Sequence, residues 1–86
     1  MAKVKWSAKA AKQLLRIDSR YVKPITKKVG ELSAFPDVIL DLKKLTGKGA
    51  EYRLRVGDYR VMFEVIDGAP VVIEITQVSR RQSKTY

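Results

Sequence analysis

Four arginines are the residues of this sequence best suited to chemistry. Arg53 and Arg55 stand two apart, Arg60 follows a Gly-Asp pair, and Arg80 lies near the C-terminus. A guanidinium is a planar fork that binds phosphate oxygens in pairs and stays charged. Four of them close together repel one another unless something anionic sits among them. Glu64 and Glu74 could partly neutralise the group; a phosphodiester backbone would do so better. The bland alternative is a solvated sheet face laced with Arg–Glu pairs.

Other reactive groups are scarce. The 86 residues include no cysteine and no histidine. That excludes a disulfide scaffold, a thiolate zinc site, a Cys nucleophile and every Ser-His or Cys-His arrangement. General acid–base work falls to Glu, Asp, Lys or Tyr. Glu64 and Glu74 could form a carboxylate pair, but among arginines they read as charge partners. No cluster suggests a metal site, and no cofactor is expected. Lys48 between two glycines lacks the rest of a phosphate-loop spacing. Tyr86, the last residue, lies in a basic tail, where it could stack on a base of single-stranded RNA.

The chain must bring those arginines together from separated positions. From Glu51 the apolar period is two, the mark of half-buried strands. It predicts a strand over Glu51–Val56, a turn at Gly57-Asp58, a strand over Tyr59–Ile66, a turn at Asp67-Gly68-Ala69 and a strand over Pro70–Val78. Gly first in one turn and Asp-Gly in the other suit tight hairpins. One face of this meander carries Tyr52, Leu54, Val56, Tyr59, Val61, Phe63 and Val65, with Val71, Ile73 and Ile75. The other carries Arg53, Arg55, Arg60, Met62, Glu64, Glu74, Thr76 and, continuing the alternation, Arg80.

Upstream, Val4-Lys5-Trp6 reads as a short edge strand and Ser7 as the cap of a helix through Ile17, with Ala11, Leu14 and Leu15 buried. Asp18-Ser19 breaks the pattern and can cap a second helix with Val22, Ile25, Val29 and Leu32 inward. Pro24 suits that helix if it falls in the first turn. Residues 37–50 follow no strict period and suggest a short helical turn across the core, then a loop at Thr46–Gly49. The whole is expected to be one α+β domain over residues 1–86. A short strand and a helix hairpin pack on one face of a small, twisted, mainly antiparallel sheet.

The formal net charge is +9, from 18 basic and 9 acidic residues, and it is uneven. Residues 1–28 hold nine Lys/Arg and one acid, residues 29–79 six bases and eight acids, and the last seven three bases and no acid. Such a balance points to nucleic acid, an acidic membrane surface or an acidic protein as partner. No stretch approaches the ~20 apolar residues of a membrane-spanning helix. No apolar run follows the basic N-terminus, so a signal peptide is not expected and the cytoplasm is the default.

Leu45-Thr46-Gly47, then Tyr52-Arg53-Leu54-Arg55-Val56-Gly57-Asp58-Tyr59-Arg60-Val61, resembles the signature of RelE-type toxins of the RelE/ParE toxin–antitoxin superfamily. Ile75-Thr76-Gln77-Val78-Ser79-Arg80-Arg81 followed by Tyr86 is similar to that family's last strand and basic tail. The resemblance implies a RelE-like fold and a ribosome-dependent, metal-free endoribonuclease that cuts mRNA in the A site. The 2′-OH attacks the adjacent phosphate, leaving a 2′,3′-cyclic phosphate and a 5′-OH. By the same resemblance, Arg53 and Arg55 match two basic residues of the first meander strand, and Arg60 a phosphate-binding arginine. Arg80 matches an arginine linked to leaving-group protonation, and Tyr86 the tyrosine that stacks on the substrate base. Some relatives have Lys where this chain has Arg55. Arginine is a poor general base, so that role passes to electrostatics or to Glu64, Glu74 or Tyr86. The alternative within the superfamily is a ParE-like toxin that poisons DNA gyrase without catalysis. Either implies a small, acidic, partly disordered antitoxin that folds on the toxin. The nuclease would also meet ribosome and mRNA; DNA contact would come only through the antitoxin, and no membrane is involved.

Overall fold

The two-residue period from Glu51 onward builds the sheet that everything else packs on. The computed structural model describes residues 2–35, 37, 42–45 and 51–80. Along the chain come β1 (Lys3–Trp6), α1 (Ala8–Arg16), α2 (Ser19–Gly30), a 3-10 turn (Glu31–Ala34), β2 (Leu42–Lys44), β3 (Glu51–Val56), β4 (Tyr59–Ile66) and β5 (Val72–Arg80). The strands lie in the order β1-β5-β4-β3-β2. β1 runs parallel to β5 and the other neighbours are antiparallel. This is the α+β architecture expected, with β1 at an edge.

Local signals set the ends of the elements. Ser7 caps α1, its Oγ accepting from the Ala10 N–H at 3.1 Å. Asp18 caps α2, its Oδ1 accepting from the Arg20 N–H at 3.0 Å. Gly57 takes φ +58 while Asp58 stays negative, the combination of a type II′ hairpin turn. β5 begins two residues later than the alternation suggests and runs to Arg80.

Three other expectations need correction. Residues 42–44 form a strand, not a helical turn. They pair with Leu54, Arg53 and Tyr52 of β3, whose outer backbone groups would otherwise lack partners. Thr46–Gly49 lie outside the described residues. Pro24 is the sixth residue of α2, beyond the first turn. The helix continues past it on the strength of Ile25 and Val29, both buried against the sheet. On α1 the inward line is Ala10, Leu14 and Ile17, which follows the helical repeat. Leu15, expected inside, is 82% exposed.

The core lies between the helices and one face of the sheet. Phe63, Ile25, Leu32, Leu54, Ile73 and Ile75 are its largest fully buried side chains. Tyr52 and Phe63 stand opposite each other on β3 and β4 with rings stacked at 5.4 Å. Phe35, just after the 3-10 turn, meets both edge-on, closing that end of the core. Truncating Phe63→Ala removes the fully buried ring of this trio and should cost about 3–5 kcal/mol in urea unfolding, with Phe63→Leu costing less.

Candidate functional site

The face turned away from the helices is divided by charge. Arg55 stands directly opposite Arg60, and Arg53 opposite Met62, with Lys43 of β2 on its other side. The two rows are about 7 Å apart along the strands. Three arginines from β3 and β4 therefore share one patch beside the Gly57 turn. Farther along, Glu64 stands between Glu51 and Glu74, and Glu74 faces Lys5. Like charges directly across a ladder repel. One half of the face favours an anion and the other a cation. Glu64 lies four residues from Arg60, about 13 Å along the strand. Among the described residues Arg53 and Arg60 take part in no ion pair. The Arg–Glu lacework that would have consumed them is not what they form.

Arg80 is not on this face. Phe63 pairs with Ile75 and Met62 with Gln77, so Thr76 is an extra residue on β5. The extra residue shifts the alternation by one. Gln77 and Ser79 now flank the arginine patch, whereas Val78 turns into the core, 3% exposed. Arg80 pairs with Tyr59 and shares its helix side. The convergence of four arginines on one surface is thus corrected to three, with Arg80 behind them. The signal is present in the sequence: the apolar residues Ile75 and Val78 are three apart, an odd spacing that a regular strand cannot bury on one face.

Two side chains hold the shifted strand. Thr76 Oγ1 donates to the Met62 carbonyl at 3.3 Å. The Val78 N–H donates to Gln13 Oε1 of α1 at 2.7 Å, beyond the point where β1 ends. Gln13, which composition and motif give no reason to single out, ties α1 to β5.

Behind the sheet this arrangement leaves an open groove of about 440 Å³, bordered by Gln13, Arg16, Asp18, Tyr59, Val78 and Arg80 among others. Tyr59 is held by Tyr21, ring centroids 5.0 Å apart. Asp18 is bound by Arg20, with Nη2 at 2.8 Å from Oδ2. The side-chain bond from Arg20, then its backbone N–H and, more weakly, the charge of Arg80 hold the Asp18 carboxyl at about 2, below its ordinary 3.8.

Tyr86 lies outside the described residues. Among the described residues no three His, Cys, Asp or Glu side chains are grouped to hold a metal ion. Nor, among them, is any helix long and apolar enough to cross a membrane.

A family model described as the ParE toxin of the type II toxin–antitoxin system parDE matches residues 4–84. No curated protein matches in sequence. Among solved structures, the chain is similar to RelE in the RelE–RelB complex of Pyrococcus horikoshii, with 27% identity and TM-score 0.75 over 93% of this chain and 94% of that one. RelE in the RelB–RelE complex of Methanococcus jannaschii gives 27% and 0.73, over 92% of each chain. A chain of the chromosomal ParDE system of P. aeruginosa gives 20% and 0.71, over 95% and 98%, a likeness of fold.

Two outcomes follow from the geometry. Gln13→Ala strips the Val78 N–H of its acceptor and should cost about 1–3 kcal/mol in urea unfolding, with faster hydrogen exchange at Val78 than at Val61. For Asp18, the folded value lies below the unfolded one, so its stabilisation is complete above pH 4 and lost as pH falls towards 2. Asp18→Asn keeps a capping side chain and should flatten the acid-unfolding profile over that window, followed by circular dichroism.

Proposed function

The chain belongs to the ParE toxin family within the RelE/ParE superfamily of type II toxin–antitoxin systems, and from that premise we propose that it is a toxin that cuts mRNA on the ribosome. The observation that carries this reading is the patch of Arg53, Arg55 and Arg60 on the open face of the sheet. Three guanidiniums on two neighbouring strands can grip one phosphodiester and stabilise the charge that grows on it, usually a large part of catalysis. The nucleophile comes from the substrate, so neither Ser nor Cys is required. The 2′-oxygen bonds to phosphorus as the bond to the 5′-oxygen breaks, giving a 2′,3′-cyclic phosphate and a 5′-OH. The 2′-OH proton passes to a base other than arginine, which stays charged at neutral pH, and the departing 5′-oxygen takes up a proton from water. Glu64 and Glu74, at the acidic end of the same face, stand too far from a phosphate held at Arg60 to take the 2′-OH proton directly, so Tyr86 is the remaining option.

The 27% identity to the two archaeal RelE chains supports the same reading. Those chains are in complex with RelB, and a cognate antitoxin is proposed here too. An acidic, partly disordered partner fits a toxin of net charge +9. The ribosome would fix the message and so supply much of the orientation.

A second reading is a ParE-like toxin that binds and poisons DNA gyrase. The description of the matching family and the position of Arg80 outside the arginine patch favour it. A translating extract separates the two. The nuclease should leave codon-phased cuts in mRNA, reduced at least 100-fold in an Arg53→Ala Arg60→Ala variant, an effect of the size seen when transition-state donors are removed. Intact mRNA together with inhibited supercoiling by purified gyrase would overturn the nuclease in favour of the gyrase poison.

A further inference from the structure

Three rows of side chains cross the open face of the sheet. The first, Arg55, Arg60 and Ser79, lies beside the Gly57 turn. The second, about 7 Å along the strands, is Lys43, Arg53, Met62 and Gln77. The third, about 7 Å farther, is Glu51, Glu64 and Glu74. Among the described residues of these rows Met62 is the one apolar side chain, and it stands half-buried between Arg53 and Gln77. Gln77 faces this way because of the extra residue at Thr76; an unbroken alternation would turn it into the core. It is half-buried, and among the described residues its amide makes no hydrogen bond. Neither side chain has a part in gripping a phosphate.

The order of the rows decides which part of a single strand lies where. Phosphates are drawn to the arginines and repelled by the three carboxylates. Between the two, the strand can set down only a group without charge, and that group is a base. Met62 provides a polarisable thioether for the face of an aromatic ring. Gln77, one strand away at about 4.8 Å, presents an N–H donor and a carbonyl acceptor side by side. Adenine has the matching edge: its N6 amino group donates to the amide oxygen while N7 accepts from the amide nitrogen. The carboxylates of Glu64 and Glu74 lie beyond and strengthen the choice. They attract an amino group and repel the O6 of guanine and the O4 of uracil. Cytosine also has an amino group, but its single ring covers less of Met62.

We propose that Met62 and Gln77 seat the base next to the gripped phosphate and select adenine there, so that they set where the toxin cuts. This rests on the RNA reading above and adds to it the choice of sequence. The acids of the face, too distant for proton transfer, serve to turn away the wrong base and to keep phosphate off the third row.

The test uses the full chain, labelled with ¹⁵N and with ¹³C in the methionine methyl groups. The ligands are hexamers of 2′-O-methyluridine carrying A, C, G or U at the third position; they lack the 2′-OH and are not cut. The adenine hexamer should shift the Met62 methyl and the Gln77 side-chain amide, and should bind about tenfold more tightly than the all-uridine one, within the discrimination that one bidentate pair supplies. Gln77→Leu should bring the two within about twofold of each other. Met62→Ala should weaken all four hexamers. A hexamer with no base at the third position should still shift the Arg60 backbone amide and leave the Met62 methyl in place. In the translating extract, the excess of cuts beside adenine over those beside uracil should fall about tenfold in Gln77→Leu.

A Met62 methyl that stays still while the Arg60 amide shifts overturns the seat. Equal affinity for the four hexamers, or guanine bound more tightly than adenine, overturns the selection. An adenine preference that survives in Gln77→Leu overturns the part given to Gln77. Codon-phased cuts without a bias towards adenine overturn the proposal and leave the nuclease reading standing. Seat shifts specific to adenine with uncut mRNA in the extract support the seat and remove the nuclease reading instead.

Discussion

A strand can bury only every second residue, and β5 must bury both Ile75 and Val78. That conflict is the constraint from which the layout of the basic surfaces follows. The extra residue at Thr76 resolves it by changing the phase of the strand. The cost is a disturbed ladder to β4, where the Thr76 hydroxyl bonds the Met62 carbonyl; on the other side of β5, past the end of β1, the Gln13 amide oxygen accepts from the Val78 N–H. Once Val78 is turned inward, Arg80 has no choice of side. The hydrophobic requirement of one valine thus decides which arginines meet and which are kept apart.

Much of the architecture is legible in the sequence because the signals are strong and local. β3 and β4 have the bounds that the alternation predicts, and Ser7 and Asp18 cap their helices. Ile25, Val29 and Leu32 are buried as their spacing suggests. The errors lie where a pattern is short or is extended past its support. Three residues of β2 carry no readable period, and their pairing depends on a partner strand distant in sequence. Hydrophobicity alone turns Leu15 inward, although the small Ala10 marks the face that approaches the sheet. Within the site, Arg53, Arg55 and Arg60 are readable from adjacent strands joined by a two-residue turn. Arg80 is misplaced when an unbroken alternation is carried through Thr76-Gln77.

The charges are also better segregated than their totals suggest. No acid lies within α1 or α2, so the helix layer is cationic on its outer side. The sheet face has one basic half and one acidic half, with Glu51, Glu64 and Glu74 in a row across three strands. A complementary macromolecule would meet a uniform field on one side of the protein and a polarised one on the other. The acidic half repels a phosphate backbone and so confines it to the end near Gly57. Long-range attraction and local alignment are in this way assigned to different surfaces.

The short strand β2 has an effect beyond completing the ladder. It is three residues long and ends the sheet with Lys43 and Lys44, both exposed. An outer strand of that length with two ammonium groups is a poor template for a second copy. On that side an uncovered chain therefore offers less to edge-to-edge pairing than a longer, uncharged border would.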